Sequence, residues 1–254
     1  MLKTVKLSKL LIGLVLAGVA SVASAENVSV AVAANFKEPL QDISAKFQRA
    51  TGHTVSISAE SSGKIVSQIK NGASYDIFLS ADETKPIKLE QEGGIVPGSR
   101  FTYAIGKLAL WSATPGYVDN KGKVLKTGSY NHIAIADPKL APYGLAATQT
   151  LQKMGLTAAV NDKLVVGKNI GTTFGYIQTG NAELGFVALS QIYKDGRLTH
   201  GGSYWLVPKN YYKPIRQDAV LLPGGKDNPA AVALMKYLKS PAARKVMKSY
   251  GYSN

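Results

Sequence analysis

The chain has 254 residues and a formal net charge of +14, with 45% hydrophobic and 18% charged residues. That balance belongs to a globular protein and excludes a disordered or collagen-like chain, and the length suffices for a buried core without covalent staples. It contains no cysteine, which excludes disulfides, thiol catalysis and cysteine metal sites.

Lys3, Lys6 and Lys9 precede an apolar run over residues 10–22 and then Ala23-Ser24-Ala25. This order reads as a secretory signal peptide over residues 1–25, with cleavage after Ala25, a mature chain from Glu26 and a periplasmic destination. The run is shorter than the roughly 20 residues of a membrane span. Without the leader's three lysines, 27 of the 30 basic residues face 16 acidic ones, a charge of +11. The lysines are scattered and no basic motif with interleaved aromatics occurs, which points to a solvated basic surface rather than nucleic-acid binding.

In chain order, residues 28–34 read as a buried strand and residues 35–49 as a helix with Phe36, Leu40, Ile43 and Phe47 on one face. Thr51-Gly52 ends that helix, and residues 54–58 alternate as a strand. A helix over residues 63–70 and a strand over 75–80 complete a β-α-β-α-β run, which implies a parallel sheet with helical crossovers. The pattern recurs with strands at 107–111, 132–136, 163–166 and 184–188 and helices at 145–154 and 172–178. A return strand at 219–222 and helices at 229–238 and 241–250 close the chain. The expected fold is α/β with two lobes, each a mainly parallel sheet flanked by helices. The division expected is 26–106 with 217–254 in one discontinuous lobe and 107–216 in the other, with crossings near residues 105–108 and 213–218. Ligands of open α/β sheets lie at the carboxyl ends of the strands, here the cleft between lobes.

Two strand-to-helix junctions stand out, Ala33-Ala34-Asn35-Phe36 and Glu60-Ser61-Ser62-Gly63-Lys64. Helix starts present unpaired N–H groups and partial positive charge, so two of them facing one cleft make an anion site. Asn35 and the serines are also ordinary N-cap residues, and Gly63 lets a ligand approach the backbone. In the second region, Ala141-Pro142-Tyr143-Gly144 and Lys168-Asn169-Ile170-Gly171-Thr172 have the same loop-to-helix form, offering N–H groups at Tyr143 and Ile170. His53, His132 and His200 show no metal-ligand spacing, and neither a GxSxG elbow nor a Walker loop occurs, so the chain does not read as an enzyme. Asp76, Asp82 and Glu83 read as capping or solvated carboxylates.

With those segments in view, the mature chain resembles the periplasmic molybdate-binding proteins of ATP-binding-cassette importers over nearly its full length. The carrying motifs are Val32-Ala33-Ala34-Asn35-Phe36, Ser61-Ser62-Gly63-Lys64 with Gln68-Ile69, Tyr75-Asp76-Ile77-Phe78-Leu79-Ser80-Ala81-Asp82, Ala136-Asp137-Pro138, Ala141-Pro142-Tyr143-Gly144, Glu183-Leu184-Gly185-Phe186-Val187-Ala188 and Tyr237-Leu238-Lys239-Ser240-Pro241. The resemblance implies a type II periplasmic binding fold that closes on molybdate or tungstate, held by neutral donors without a protein–metal bond or a cofactor. It implies Asn35, Ser62, Tyr143 and Ile170 as ligand-binding residues and an inner-membrane permease as partner; a monomer is expected. Asn35 stands where some members carry serine, and Ala188 where some carry a ligand-binding tyrosine. The alternatives are the same fold on sulfate, chromate or phosphate, an exported hydrolase using Ser62, and a basic module for polyanions.

Overall fold

The computed structural model describes residues 25–253. The signal peptide expected over residues 1–25 lies, but for Ala25, outside the described residues. The chain begins with β1 (Asn27–Ala33), whose side chains are buried from Val30 onward, and a 3₁₀ turn (Ala34–Phe36) leads into α1 (Lys37–Thr51). Pro39, Leu40, Ile43 and Phe47 are the buried face of α1, and Gly52 ends it at φ +80°, a left-handed conformation that favours glycine. Next come β2 (Thr54–Glu60), α2 (Ser62–Lys70), β3 (Ile77–Leu79), α3 (Thr84–Gln91) and β4 (Phe101–Gly106).

A single residue, Lys107, separates β4 from β5 (Leu108–Ser112), the first strand of a second sheet. That region continues through α4 (Val124–Thr127), β6 (Ile133–Ala136), α5 (Pro142–Lys153), α6 (Thr157–Val160), β7 (Leu164–Gly167), α7 (Ile170–Gln178), β8 (Leu184–Ala188) and α8 (Leu189–Ile192). A short hairpin of β9 (Tyr193–Lys194) and β10 (Arg197–Leu198) precedes β11 (Ser203–Leu206). The chain then returns as β12 (Ile215–Leu221) to the first sheet and ends in α9 (Pro229–Leu238) and α10 (Pro241–Ser249).

Each large sheet has five strands, ordered β2-β1-β3-β12-β4 and β11-β5-β8-β6-β7. β1 pairs in parallel with β2 and β3, while β12 runs antiparallel to both β3 and β4; four strands therefore point one way. The second sheet matches it, with β5 the reversed strand. The reversed strand in each sheet is the one that enters from the other. The parallel strands stop in step, Ala33 opposite Glu60 and Ala136 opposite Gly167, so each sheet offers an aligned row of carboxyl ends.

One apolar core packs Phe36, Leu40, Ile43 and Phe47 against β1, β3 and α9. Another lies beneath the second sheet and runs across the gap to take in Ala33 and Ala81 of the first region beside Tyr143 and Ile170 of the second. The two regions are in direct contact: Gly63 N donates to Leu140 O at 2.9 Å, Ser190 Oγ to Asn35 O at 2.8 Å, and Asn169 Nδ2 to Glu60 Oε2 at 2.9 Å. A Cβ on Gly63 would lie 3.0 Å from the Leu140 Cα, so glycine permits this close approach. No helix among the described residues is long and apolar enough to cross a membrane.

Candidate functional site

The loops at the carboxyl ends of both sheets meet around one small space. At the end of β1, Asn35 falls within the 3₁₀ turn and is 2% exposed. Its side chain caps nothing, which corrects the helix-cap reading: α1 begins at Lys37, and the Asn35 amide turns inward to donate from Nδ2 to Gln217 and Tyr252. At the end of β2 the serines divide the work. Ser61 is the N-cap of α2, its Oγ accepting from Lys64 N at 3.4 Å, and Ser62 is the first helical residue, fully buried. Ser62 Oγ accepts from Ala81 N at 2.9 Å, which leaves its own hydrogen free to donate.

From the second sheet, Pro142 opens α5 with no N–H to lose, and Tyr143 follows it with a backbone N–H in the orphan first turn. Asn169 caps α7, its Oδ1 accepting from Thr172 N at 2.8 Å, and Ile170 is the first residue of that helix. Both helices start earlier than the hydrophobic spacing predicts, α5 at Pro142 and α7 at Ile170. The backbone N–H groups of Ser62, Tyr143 and Ile170 have no acceptor among the described residues.

Asn35, Ser61, Ser62, Tyr143 and Ile170, with Ala33, Ala81, Ala141 and Pro142, line a cavity that leaves about 10 Å³ to the centre of a water-sized sphere. The structure thus brings all four residues expected at the site to one place. The lining holds no charged side chain and no histidine, so Ser62 has no base beside it. It consists of hydroxyl, amide and main-chain donors set among small apolar groups. A much larger groove, about 560 Å³, lies on the outer surface by β4 and the C-terminal helices, and none of the four residues borders it. Among the described residues no group of three or more His, Asp or Glu side chains is placed to hold a metal ion.

Residues 28–253 match the family of bacterial extracellular solute-binding proteins. The chain belongs to that family. The molybdate-binding protein ModA of Azotobacter vinelandii is 58% identical over 246 residues, covering 97% of each chain. The molybdate-binding protein ModA of Rhodobacter capsulatus is 51% identical over 235 residues, 92% of this chain and 91% of that one. A solved structure of the Azotobacter vinelandii periplasmic molybdate-binding protein superposes with a TM-score of 0.87 at 45% identity, covering 89% of this chain and 99% of that one. The family is one of solute-binding proteins rather than of enzymes.

Around its cleft this solute-binding protein carries polar residues that the sequence pattern does not single out. Gln217 on β12, Tyr103 on β4, Ser190 on α8 and Tyr252 in the C-terminal tail are all buried. Tyr252 arrives because Ser253 bridges Ile105 at the edge of β4, and its Oη donates to Ser190 Oγ at 2.9 Å. Ala188, standing where some relatives were expected to carry tyrosine, ends β8; its N–H donates to Gln191 Oε1, while Gln191 Nε2 donates to Ile170 O at 3.0 Å. Gln191 therefore braces the Ile170 loop from behind. Gln191, next to Ile192, is marked by an apolar neighbour, whereas Gln217 sits between Arg216 and Asp218 and carries no such signal.

Burial keeps the tyrosine hydroxyls protonated. Loss of hydration lifts Tyr103 and Tyr143 well above the usual phenol range and pushes Tyr252 up to about 12. A group whose folded pKa exceeds its unfolded value contributes stability that is complete below the unfolded pKa, here about 10, and is lost as pH rises through the folded one. The expected result is a urea midpoint insensitive to these tyrosines between pH 7 and 9 and falling as pH rises from about 10 to about 12. Stability that stays level to pH 12 would contradict the burial of all three hydroxyls.

Proposed function

We propose that this chain is an exported solute-binding protein that captures molybdate, and tungstate, between its lobes and delivers it to an ATP-binding-cassette importer. Asn35, Ser62, Tyr143 and Ile170 hold the ion. The lobes divide as residues 26–106 with 217–254 and residues 107–216, the mature chain starts at Glu26 in the periplasm, and it acts as a monomer. The observation that carries the reading is a small cavity between the two sheets whose polar lining is neutral, with no charged side chain, in a chain 58% identical to a molybdate-binding protein.

A tetrahedral dianion offers only acceptors, so a site for it needs donors on every side and no base. Ser62 Oγ–H, the Asn35 amide and the N–H groups of Ser62, Tyr143 and Ile170 converge from opposite lobes, and α2, α5 and α7 add the partial positive charge of their first turns. Hydrogen bonds to a charged partner are worth about 1.5–3 kcal/mol each, so four or five hold the ion without a counter-charge. The cavity's fixed size selects by radius, since sulfate is smaller and leaves its donors stretched. Hydrogen phosphate brings a proton for which the lining has no carboxylate acceptor. The basic surface speeds encounter with anions, an effect that salt screens.

Isothermal titration with molybdate, tungstate, sulfate and phosphate tests this. The expected outcome is tight, comparable binding of the first two and weak or absent binding of the others. Sulfate or phosphate binding more tightly than molybdate, or no heat with molybdate at low salt, would overturn the assignment.

A further inference from the structure

Asn35 Oδ1 is buried and has no hydrogen-bond partner among the described residues, although Asn35 borders the cavity. Its other amide end is fully engaged: Nδ2 donates to Gln217 Oε1 at 2.8 Å and to Tyr252 Oη at 2.9 Å. In this register the amide's free end is an acceptor. An unprotonated oxyanion has no hydrogen to give it, so the register opposes the ligand that the rest of the lining suits. The two ends of a carboxamide are nearly equal in size, and the network around it sets which way it faces.

We propose that Gln217, assisted by Tyr252, is the positioning residue that turns Asn35 toward its ligand, and that the two side-chain amides invert together when an oxyanion binds. This rests on the oxyanion-site reading above. If Asn35 alone turned over, its Oδ1 would meet Gln217 Oε1, acceptor against acceptor. If Gln217 turns as well, its Nε2 donates to Asn35 Oδ1, and its Oε1 accepts from Tyr143 Oη, now 3.5 Å from Nε2. Tyr103 Oη loses Gln217 Oε1 but keeps Ser80 O at 3.1 Å as its acceptor. Tyr252 Oη redirects its hydrogen from Ser190 Oγ to Asn35 Oδ1, while Ser190 Oγ still donates to Asn35 O. In the inverted register Asn35 Oδ1, Gln217 and Tyr252 each keep a partner, and Asn35 Nδ2, released from Gln217 and Tyr252, is left to donate to the ion.

Only a side chain with a donor and an acceptor at one tip can serve both registers, which accounts for a fully buried glutamine in β12. The two registers also differ in what they select. Nδ2 facing the cavity favours an ion with no proton, and Oδ1 facing it favours a protonated one, so Gln217 bears on discrimination between molybdate and hydrogen phosphate.

The test uses the mature protein, titrated with molybdate and with phosphate, and amide NMR of ¹⁵N-labelled protein. Gln217→Met is expected to weaken molybdate binding about tenfold and to narrow the ratio between the two ions, and Tyr252→Phe to weaken it about threefold. The Gln217 side-chain NH₂ resonance, assigned by its loss in Gln217→Met or, should that variant not fold, by its correlation to the side-chain carbons, is expected to shift with that of Asn35 on adding molybdate. A folded Gln217→Met protein with wild-type affinity and selectivity, or a Gln217 resonance that molybdate leaves unmoved, would overturn the coupled inversion while leaving the binding site in place. Wild-type protein that takes up no oxyanion would overturn both.

Discussion

Exchanging Asn35 and Ser62 together for alanine is expected to lower molybdate affinity by about two to four orders of magnitude, since each removes a charge-assisted hydrogen bond of about 1.5–3 kcal/mol. Both come from the first lobe, so the double variant leaves the ion held from that side by main-chain N–H groups alone. Each change also has a structural cost. Without Ser62 Oγ the Ala81 N–H loses its acceptor, and without the Asn35 amide Gln217 and Tyr252 lose a shared partner; a buried group left unpaired costs about 1–3 kcal/mol. Thermal melting separates the two effects. If the loss arises at the site, the single variants stay folded at the titration temperature and still lose affinity. The two residues share one cavity, so their effects need not add. Affinity within threefold of wild type in the double variant would remove both residues from the site.

The strand–helix units around the site were legible because their signals are local. Strands buried on both faces, such as β1 and β8, read as continuous apolar runs, and α1 shows its face through Leu40, Ile43 and Phe47. The elements that escaped have no such signature. β4 and β11 lie at the edges of their sheets, and α3 buries little beyond Pro86 and Leu89. Residues 215–218 of β12 were missed because Arg216, Gln217 and Asp218 look like a loop; yet Asp218 is buried, paired with Arg100 at 2.9 Å and bonded to Thr102.

The four residues at the cavity were likewise readable as helix starts, one junction at a time. Their convergence depends on two sheets presenting carboxyl ends to each other, which follows from topology. What local reading misjudged was the role of Asn35. An asparagine after a strand looks like a cap, but its partners lie 182 and 217 positions away in sequence, and no local pattern encodes contacts of that range. Tyr252 was hidden for the same reason, since a tyrosine two residues from the end of a chain reads as a frayed tail.

A single methyl group at Gly144 is expected to destabilise the second lobe and to weaken molybdate binding with it. This glycine is not required by its backbone angles; it lies within α5 at ordinary helical geometry. It is required by proximity, because a Cβ there would lie 2.2 Å from Ala136 O and 2.7 Å from Ala136 C at the end of β6. Those atoms are main chain and Ala136 is fixed in register with Gly167, so the helix start must move instead. Moving it drags Tyr143, which is 1% exposed, and takes its N–H out of line with the cavity. Overpacking of this kind costs about 3 kcal/mol, equivalent to a melting temperature lower by roughly 6–12 °C for a chain of this size. Molybdate affinity should fall with it. Gly175 in α7 supplies the control, since a Cβ there meets nothing within 4 Å, and alanine should stabilise that helix by about 0.5–1 kcal/mol. Differential scanning calorimetry of the two variants therefore ought to move in opposite directions. Equal melting temperatures would mean that α5 slides freely on β6, and a site built on its first turn would then lack the rigidity that selection by ion radius demands.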